Sequence, residues 1–101
     1  MTIVAVFRAR RTEAGDGPDY YAHLEKMAAL ATAMPGYISH KAYRAEDDER
    51  LTFFEWEDMD SLNAWARHPD HVAVKQIGRE RFYADYHLQI GEVSRESRFN
   101  R

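Results

Sequence analysis

The sequence contains no cysteine. Disulfide bonds, thiolate metal ligands and cysteine nucleophiles are therefore excluded. No apolar run approaches the roughly 20 residues that a membrane-spanning helix needs. The N-terminus also lacks the pattern of a secretory signal peptide, because the short apolar tract ending at Phe7 is followed directly by Arg8, Arg10 and Arg11. We therefore expect a soluble, cytoplasmic protein with no membrane partner.

Positive charge and phosphate-binding motifs are also scarce. The chain has 14 basic and 17 acidic residues and a formal net charge of -3. Nonspecific nucleic-acid binding needs a basic face, so no nucleic-acid partner is expected. A phosphate-binding loop, a nucleophile elbow and a dinucleotide fingerprint are all missing. His68 and His71 are three residues apart but lack the further ligands of a zinc site. The sequence thus predicts no metal and no organic cofactor.

What the chain does have is a regular order of strand-like and helix-like tracts. Alternating apolar residues predict strands, and a stripe at helical spacing after Pro18 predicts a helix that Pro35-Gly36 ends. Asp58 and Asp60 cap a second helical tract, which breaks at His68 before Pro69 and resumes towards Phe82. The predicted strands are 2–10, 37–45, 51–57 and 86–93. This order, βαββαβ, predicts a ferredoxin-like α+β fold: a four-stranded antiparallel sheet with helices on one face. We expect one domain, residues 1–101, with a loose tail at 95–101.

The first and third strands are apolar on both faces. Ile3, Ala5 and Phe7 point one way, and Val4 and Val6 point the other. The third strand likewise has Phe53 on one face and Phe54 with Trp56 on the opposite one. Helices can cover only one face, and an apolar face left in water is typically an interface. The pattern therefore predicts a homodimer packed sheet against sheet.

Three stretches resemble a known family. They are "MPGYISHKAYRAEDDERLTFFEWED", the tryptophan of "LNAWARHPDHV", and "GRERFYADYHLQIGEV". Together they resemble the antibiotic biosynthesis monooxygenase (ABM) domain family along the whole chain. The resemblance implies a dimeric α/β barrel. It also implies one of several activities, because the family contains cofactor-free oxygenases of aromatic polyketides and quinols, haem-degrading enzymes, and members of unknown activity.

The resemblance also implies a cavity between sheet and helices. Trp65 matches the tryptophan that lines it in the oxygenase members. Ser61 stands where polyketide oxygenases have an asparagine, with Asn63 close by in sequence, and His71 stands where some members have a tyrosine. Because a histidine titrates near neutrality, His71 is the candidate for proton handling. Trp65 is the candidate aromatic wall, and it is equally compatible with a core role.

Other polar residues have alternative interpretations. His68 is predicted to end the short helix with its ring near free carbonyls, and we count it with Ser61, Asn63 and His40 as a candidate substrate-binding residue. His40 and His87 lie on strands, and the pattern does not decide between the cavity and the dimer interface. His23 is predicted to be solvated. Lys75 and Arg79 either form a solvated helix face or attract a substrate carboxylate. Tyr83 and Tyr86 are predicted as packing residues.

Three functions remain open at this point. The first is a cofactor-independent monooxygenase that oxidises an electron-rich aromatic, a quinol or polyketide-like phenol, with O2. The second is a haem-binding or haem-degrading dimer, although Lys75 and Gln76 stand where such members carry the iron-ligating histidine. The third is a non-enzymatic dimer that binds a small ligand.

Overall fold

Four strands and three α-helices make up the fold. The computed structural model describes residues 1–101. The elements are β1 (Ile3–Arg11), a 3-10 turn (Ala14–Asp16), α1 (Pro18–Thr32), β2 (Tyr37–Arg44), β3 (Arg50–Trp56), α2 (Met59–Ala66), α3 (Pro69–Ile77), a π turn (Gly78–Phe82) and β4 (Tyr83–Glu92). None of the helices combines the length and apolar character needed to cross a membrane.

The strands form one antiparallel sheet in the order β2-β3-β1-β4. This order confirms the predicted ferredoxin-like α+β fold. β4 begins at Tyr83, three residues earlier than the sequence predicted. The reason is tertiary, because the β1–β4 ladder continues past a register shift after Arg10 and pairs Arg11 with Tyr83.

The core lies between the sheet and the helices. Ile3, Ala5 and Ala9 of β1 are buried there, which confirms the predicted alternation of the first strand. Phe54 and Trp56 share this helix-facing side, since Phe54 pairs with Ala5 and Trp56 with Ile3. The residues that complete the core cluster come from the helices: Met27, Ala31, Leu62 and Trp65.

The other side of the sheet carries no helix. Val4, Val6 and Phe53 point there and are half-buried, with Val6 and Phe53 paired across β1 and β3. Exposed apolar side chains on one sheet face favour association with another surface. We name Val4, Val6 and Phe53 the helix-free face.

A close approach between two chain segments fixes the position of α2. Gly36 has a φ of 82°, and a Cβ added there would overlap the Ser61 side chain. The lack of a Cβ lets α2 approach the turn before β2. Asp58 caps α2 as predicted, accepting a hydrogen bond from the Ser61 N–H at 2.8 Å. Hydrogen bonds from Ser61 also hold the pKa of the Asp58 carboxyl below its ordinary value.

Candidate active site

A large cavity lies between the sheet and helices α1 and α3. Its volume is about 1040 Å³, and hydrophobic side chains make up most of its lining. Leu88 and Ile90 of β4, which line it, are 49% and 48% exposed, so this part of the lining is in contact with solvent. A mostly apolar cavity with a few polar groups is the usual form of a small-molecule site.

Five rings form a continuous stack along one wall of this cavity. His40 lies on Phe54 (centroids 4.9 Å apart, planes at 18°), and Phe54 lies on Trp56 (6.2 Å, 10°). Trp56 then lies on Trp65 (6.4 Å, 27°), and Trp65 on His71 (4.4 Å, 11°). Offset stacking of this kind stabilises each pair and restrains its orientation. We name these five residues the aromatic wall.

His71 is the titratable group with the most defined environment in this wall. Its Nδ1 lies 3.1 Å from the main-chain carbonyl oxygen of Trp65. A carbonyl can only accept, so His71 Nδ1 carries the proton and Nε2 is left with a free lone pair. Burial lowers the pKa of His71 below its ordinary value, against the opposing effect of the Trp65 carbonyl. The imidazole is therefore neutral at pH 7, and Nε2 can accept a proton.

His40 ends the opposite side of the aromatic wall. The structure places it on the cavity side of β2, opposite Phe54. Its Nδ1 lies 2.6 Å from the Tyr37 hydroxyl. His87, by contrast, pairs with Arg8 on the side of the sheet that bears no helix. The sequence did not decide the sheet face of either histidine, and the structure places His40 on the cavity side and His87 on the helix-free side.

Three of the predicted substrate-binding residues, Ser61, Asn63 and His68, do not line the cavity. Ser61 packs against Gly36, and Asn63 is exposed on α2. His68 lies at the start of α3, where its Nδ1 accepts a hydrogen bond from the Asp70 N–H at 3.2 Å. This geometry corrects the expectation that its ring lies near the carbonyls ending α2, because the break at Pro69 turns the ring towards the next helix.

Some cavity residues were missed from the sequence. His23 was expected in solvent, yet it lines the cavity and packs on Phe82 with ring centroids 5.7 Å apart. Tyr83, predicted as a packing residue, lines the cavity as well, and burial raises the pKa of its hydroxyl above the ordinary range. Tyr20 packs edge-on to both Phe82 and Tyr83. The π turn that ends at Phe82 places these rings, and no local sequence signal announces such a turn.

One buried donor in the wall has no partner. The indole N–H of Trp56 makes no hydrogen bond, although the residue is fully buried. No group of three or more His, Asp or Glu side chains is arranged to hold a metal ion.

Comparison with known proteins places this architecture in a family. Residues 2–76 match the antibiotic biosynthesis monooxygenase (ABM) family. The uncharacterized protein YqjZ of Bacillus subtilis is 31% identical over 94 residues, which cover 93% of this chain and 81% of that protein. The chain belongs to the ABM family, and at that level the match supports a monooxygenase-like role.

Solved structures of low sequence identity share the fold. Rv0793 from Mycobacterium tuberculosis has a TM-score of 0.82 at 15% identity, covering 97% of this chain and 100% of that chain. SnoaB from Streptomyces nogalater, described as a cofactor-independent oxygenase, has a TM-score of 0.77 at 15% identity, covering 94% and 95%. A ferredoxin-like dabb-family protein from Mesorhizobium loti has a TM-score of 0.72 at 16% identity, covering 91% and 96%.

Proposed function

We propose that the protein is a homodimeric, cofactor-independent monooxygenase that oxidises an electron-rich aromatic, a quinol or polyketide-like phenol, with O2. The observation that carries the proposal is the stack of Trp65 on a neutral, half-buried His71 in a mostly apolar cavity. The cavity can hold a flat ring against an aromatic wall, and His71 Nε2 can take its proton. Membership of the ABM family and the description of SnoaB as a cofactor-independent oxygenase support the same reaction class.

The proposed reaction needs no external reductant. His71 Nε2 removes a phenolic proton, and the resulting anion passes one electron to O2. Recombination forms a carbon–oxygen bond. One oxygen atom stays on the ring and the other leaves as water, so that a quinol becomes a hydroxyquinone and supplies all four electrons. The low-dielectric cavity strengthens hydrogen bonds to the anion, while the protein needs only to position the ring and handle protons.

Each candidate residue has a defined place in this proposal. His71 is the catalytic base, and Trp65 is the member of the aromatic wall that orients the ring. His40 is a substrate-binding residue at the other end of the wall, paired with the Tyr37 hydroxyl. We leave Ser61, Asn63 and His68 out of the substrate contacts, since Ser61 packs on Gly36 and none of the three lines the cavity.

Oxygen uptake tests the catalytic assignment. The assay uses a panel of quinols and anthrones with a metal chelator present throughout. His71→Ala should lower turnover by about 10²–10⁴-fold, the usual contribution of a general acid–base group. Trp65→Phe should cause a smaller loss because it keeps an aromatic wall. Gln76→Ala, on the same helix but outside the cavity lining, is the matched control and should keep the wild-type rate.

Three results would contradict the proposal in whole or in part. Full turnover in both His71→Ala and Trp65→Phe would remove these residues from the mechanism. Absence of turnover by the wild-type protein on the whole panel, together with tight binding in a haem titration, would favour the haem-binding alternative. Absence of turnover without haem binding would favour a non-enzymatic ligand-binding dimer.

The dimer is the second part of the proposal, and its predicted interface is the helix-free face. The occupant that fits this face is a second copy, because a two-fold axis matches Val6 and Phe53 with the same apolar residues. The pair should bury more than about 2,000 Å² in total. Sedimentation at micromolar concentration tests this directly.

A charged substitution locates the interface. Val6→Asp should yield monomers, because an unpaired carboxylate buried between two sheets costs several kcal/mol. Val72→Asp makes the same chemical change at a valine on α3 that is 49% exposed, and it should leave the dimer intact. A monomeric wild-type protein, or a Val6→Asp dimer as tight as the wild type, would contradict this interface.

A further inference from the structure

The charge of the cavity wall differs from that of the whole chain. The chain has an excess of acidic residues, with 17 acidic against 14 basic. The cavity lining shows the opposite, with Glu25 as its one acidic residue. The basic residues that line it from the cavity side are Arg11, Arg44, Arg50, Lys75 and Arg79, since Lys41 pairs with Phe53 and points to the helix-free face. A concentration of one charge sign in a low-dielectric cavity attracts a ligand of the opposite sign.

Three of these arginines lie along one end of the cavity, in a row that spans the width of the sheet. Strand pairing places Arg44, Arg50, Ala9 and Tyr86 in one row across all four strands. Arg79, which follows α3, reaches the same row because its Nε donates a hydrogen bond to the Tyr86 hydroxyl at 2.7 Å. We name Arg44, Arg50 and Arg79 the arginine end.

Acidic partners do not neutralise the arginine end. Asp48 lies 2.7 Å from Arg44 and 3.2 Å from Arg50, so one carboxylate serves two guanidinium groups. Arg79 forms no ion pair; it donates a hydrogen bond to the Tyr86 hydroxyl and lies over the ring of that residue. The buried Nε of Arg50 has no acceptor. Three guanidinium groups against one carboxylate leave two net positive charges and at least one unused donor.

The arginine end is separated from the aromatic wall by about the length of a two-ring molecule. His40 and Phe54 lie in a row four strand residues from Arg44 and Arg50, a distance of about 13 Å at 3.3–3.4 Å per residue. α3 carries the chain from His71 to Ile77, about 9 Å at 1.5 Å per residue, and Arg79 follows two residues later in the π turn. Phe7 and Leu88 occupy the row in between, and both are apolar. The cavity therefore presents a proton acceptor, an apolar middle and a cationic end.

We propose that the arginine end is an anion subsite that holds a carboxylate of the substrate, with the aromatic portion of the molecule extending towards Trp65 and His71. The substrate class is thus an elongated aromatic acid rather than a small neutral phenol. That the ring near His71 is the one oxidised rests on the proposed monooxygenase function. Binding of a carboxylate at the arginine end does not depend on that function and can be tested without turnover.

The test compares two probes that differ only in charge. Binding of biphenyl-4-carboxylate and of biphenyl-4-carboxamide is measured by calorimetry with the full-length protein, at low and at moderate salt. Charge-assisted hydrogen bonds should make the carboxylate bind about 10- to 100-fold more tightly than the amide. Salt should reduce the difference, since the subsite is open to solvent.

Matched variants assign the preference to the arginine end. Arg79→Gln should bring the two dissociation constants to within about threefold of each other, while Arg79→Lys should keep part of the difference. Arg44→Gln should act in the same direction from the strand side. Arg67→Gln removes an exposed arginine at the end of α2 that lies outside the cavity lining, and it should leave the preference intact. Circular dichroism verifies that each variant is folded.

Several results would overturn the subsite. They are equal affinity of the wild type for both probes, no measurable binding of the carboxylate, an undiminished preference in folded Arg79→Gln and Arg44→Gln, and an equal loss in Arg67→Gln. The two proposals fail independently. A carboxylate preference without oxygen uptake on any substrate would support the subsite and refute the monooxygenase, and oxygen uptake on neutral quinols without a carboxylate preference would do the reverse.

Discussion

Replacing Gly36 with alanine should destabilise the protein strongly, for two separable reasons. The residue has a φ of 82°, in the left-handed region, where a side chain costs about 1–2 kcal/mol. The added Cβ would also overlap Ser61 Oγ and Cβ, and overpacking of this kind costs about 1–3 kcal/mol. The sum, about 2–5 kcal/mol, is a large fraction of the 5–15 kcal/mol typical of a folded domain.

The consequence reaches the candidate active site through α2. Ser61 and Trp65 are one helical turn apart on the same face, so moving Ser61 away from Gly36 also moves Trp65 in the aromatic wall. Urea unfolding followed by tryptophan fluorescence measures the effect, because both Trp56 and Trp65 are buried. All variants are compared at one chain concentration, since a dimer's apparent stability depends on it.

Two controls separate the strain from the overlap. Gly91→Ala should change the free energy of unfolding by no more than about 0.5 kcal/mol, because its Cβ would meet nothing within 4 Å. In a Ser61→Gly background, Gly36→Ala should cost only the backbone term, about 1–2 kcal/mol. The reasoning is refuted if Gly36→Ala is as stable as the wild type, or if its cost is the same in both backgrounds.

Three further predictions concern the site. Because burial lowers the pKa of His71 in the folded protein, the unfolded chain takes up a proton first as the pH falls below 6.5. The free energy of unfolding should therefore decrease below that pH. His71→Phe should remove part of this decrease, as measured by urea unfolding at a series of pH values. Trp65→Ala should cost about 3–5 kcal/mol by thermal or urea unfolding, so that only Trp65→Phe reports on activity; a stable Trp65→Ala protein would show that the cavity wall tolerates the loss. The purified protein should contain no stoichiometric zinc, iron or flavin. Detection of zinc or iron by elemental analysis, or of a flavin absorbance band, would contradict this prediction.

The sequence by itself determined the elements and their order. Alternation in β1 assigned Ile3 and Ala5 to one face and Val4 and Val6 to the other, and the Pro-Gly pair placed the end of the first helical segment. These features depend on local periodicity and backbone stereochemistry, which neighbouring residues fix. Trp65 was identified as a buried residue by the same reasoning and by family resemblance.

Only the tertiary structure decided which polar residues share the cavity. His40 lies on β2 and His87 on β4, and strand pairing was needed to place His40 beside Phe54 and His87 on the opposite side of the sheet. His23 lines the cavity because the π turn brings Phe82 against it. The arginine end likewise joins residues from β2, β3 and the segment after α3. Strand register and helix docking are set by contacts between distant segments, and no local pattern encodes them.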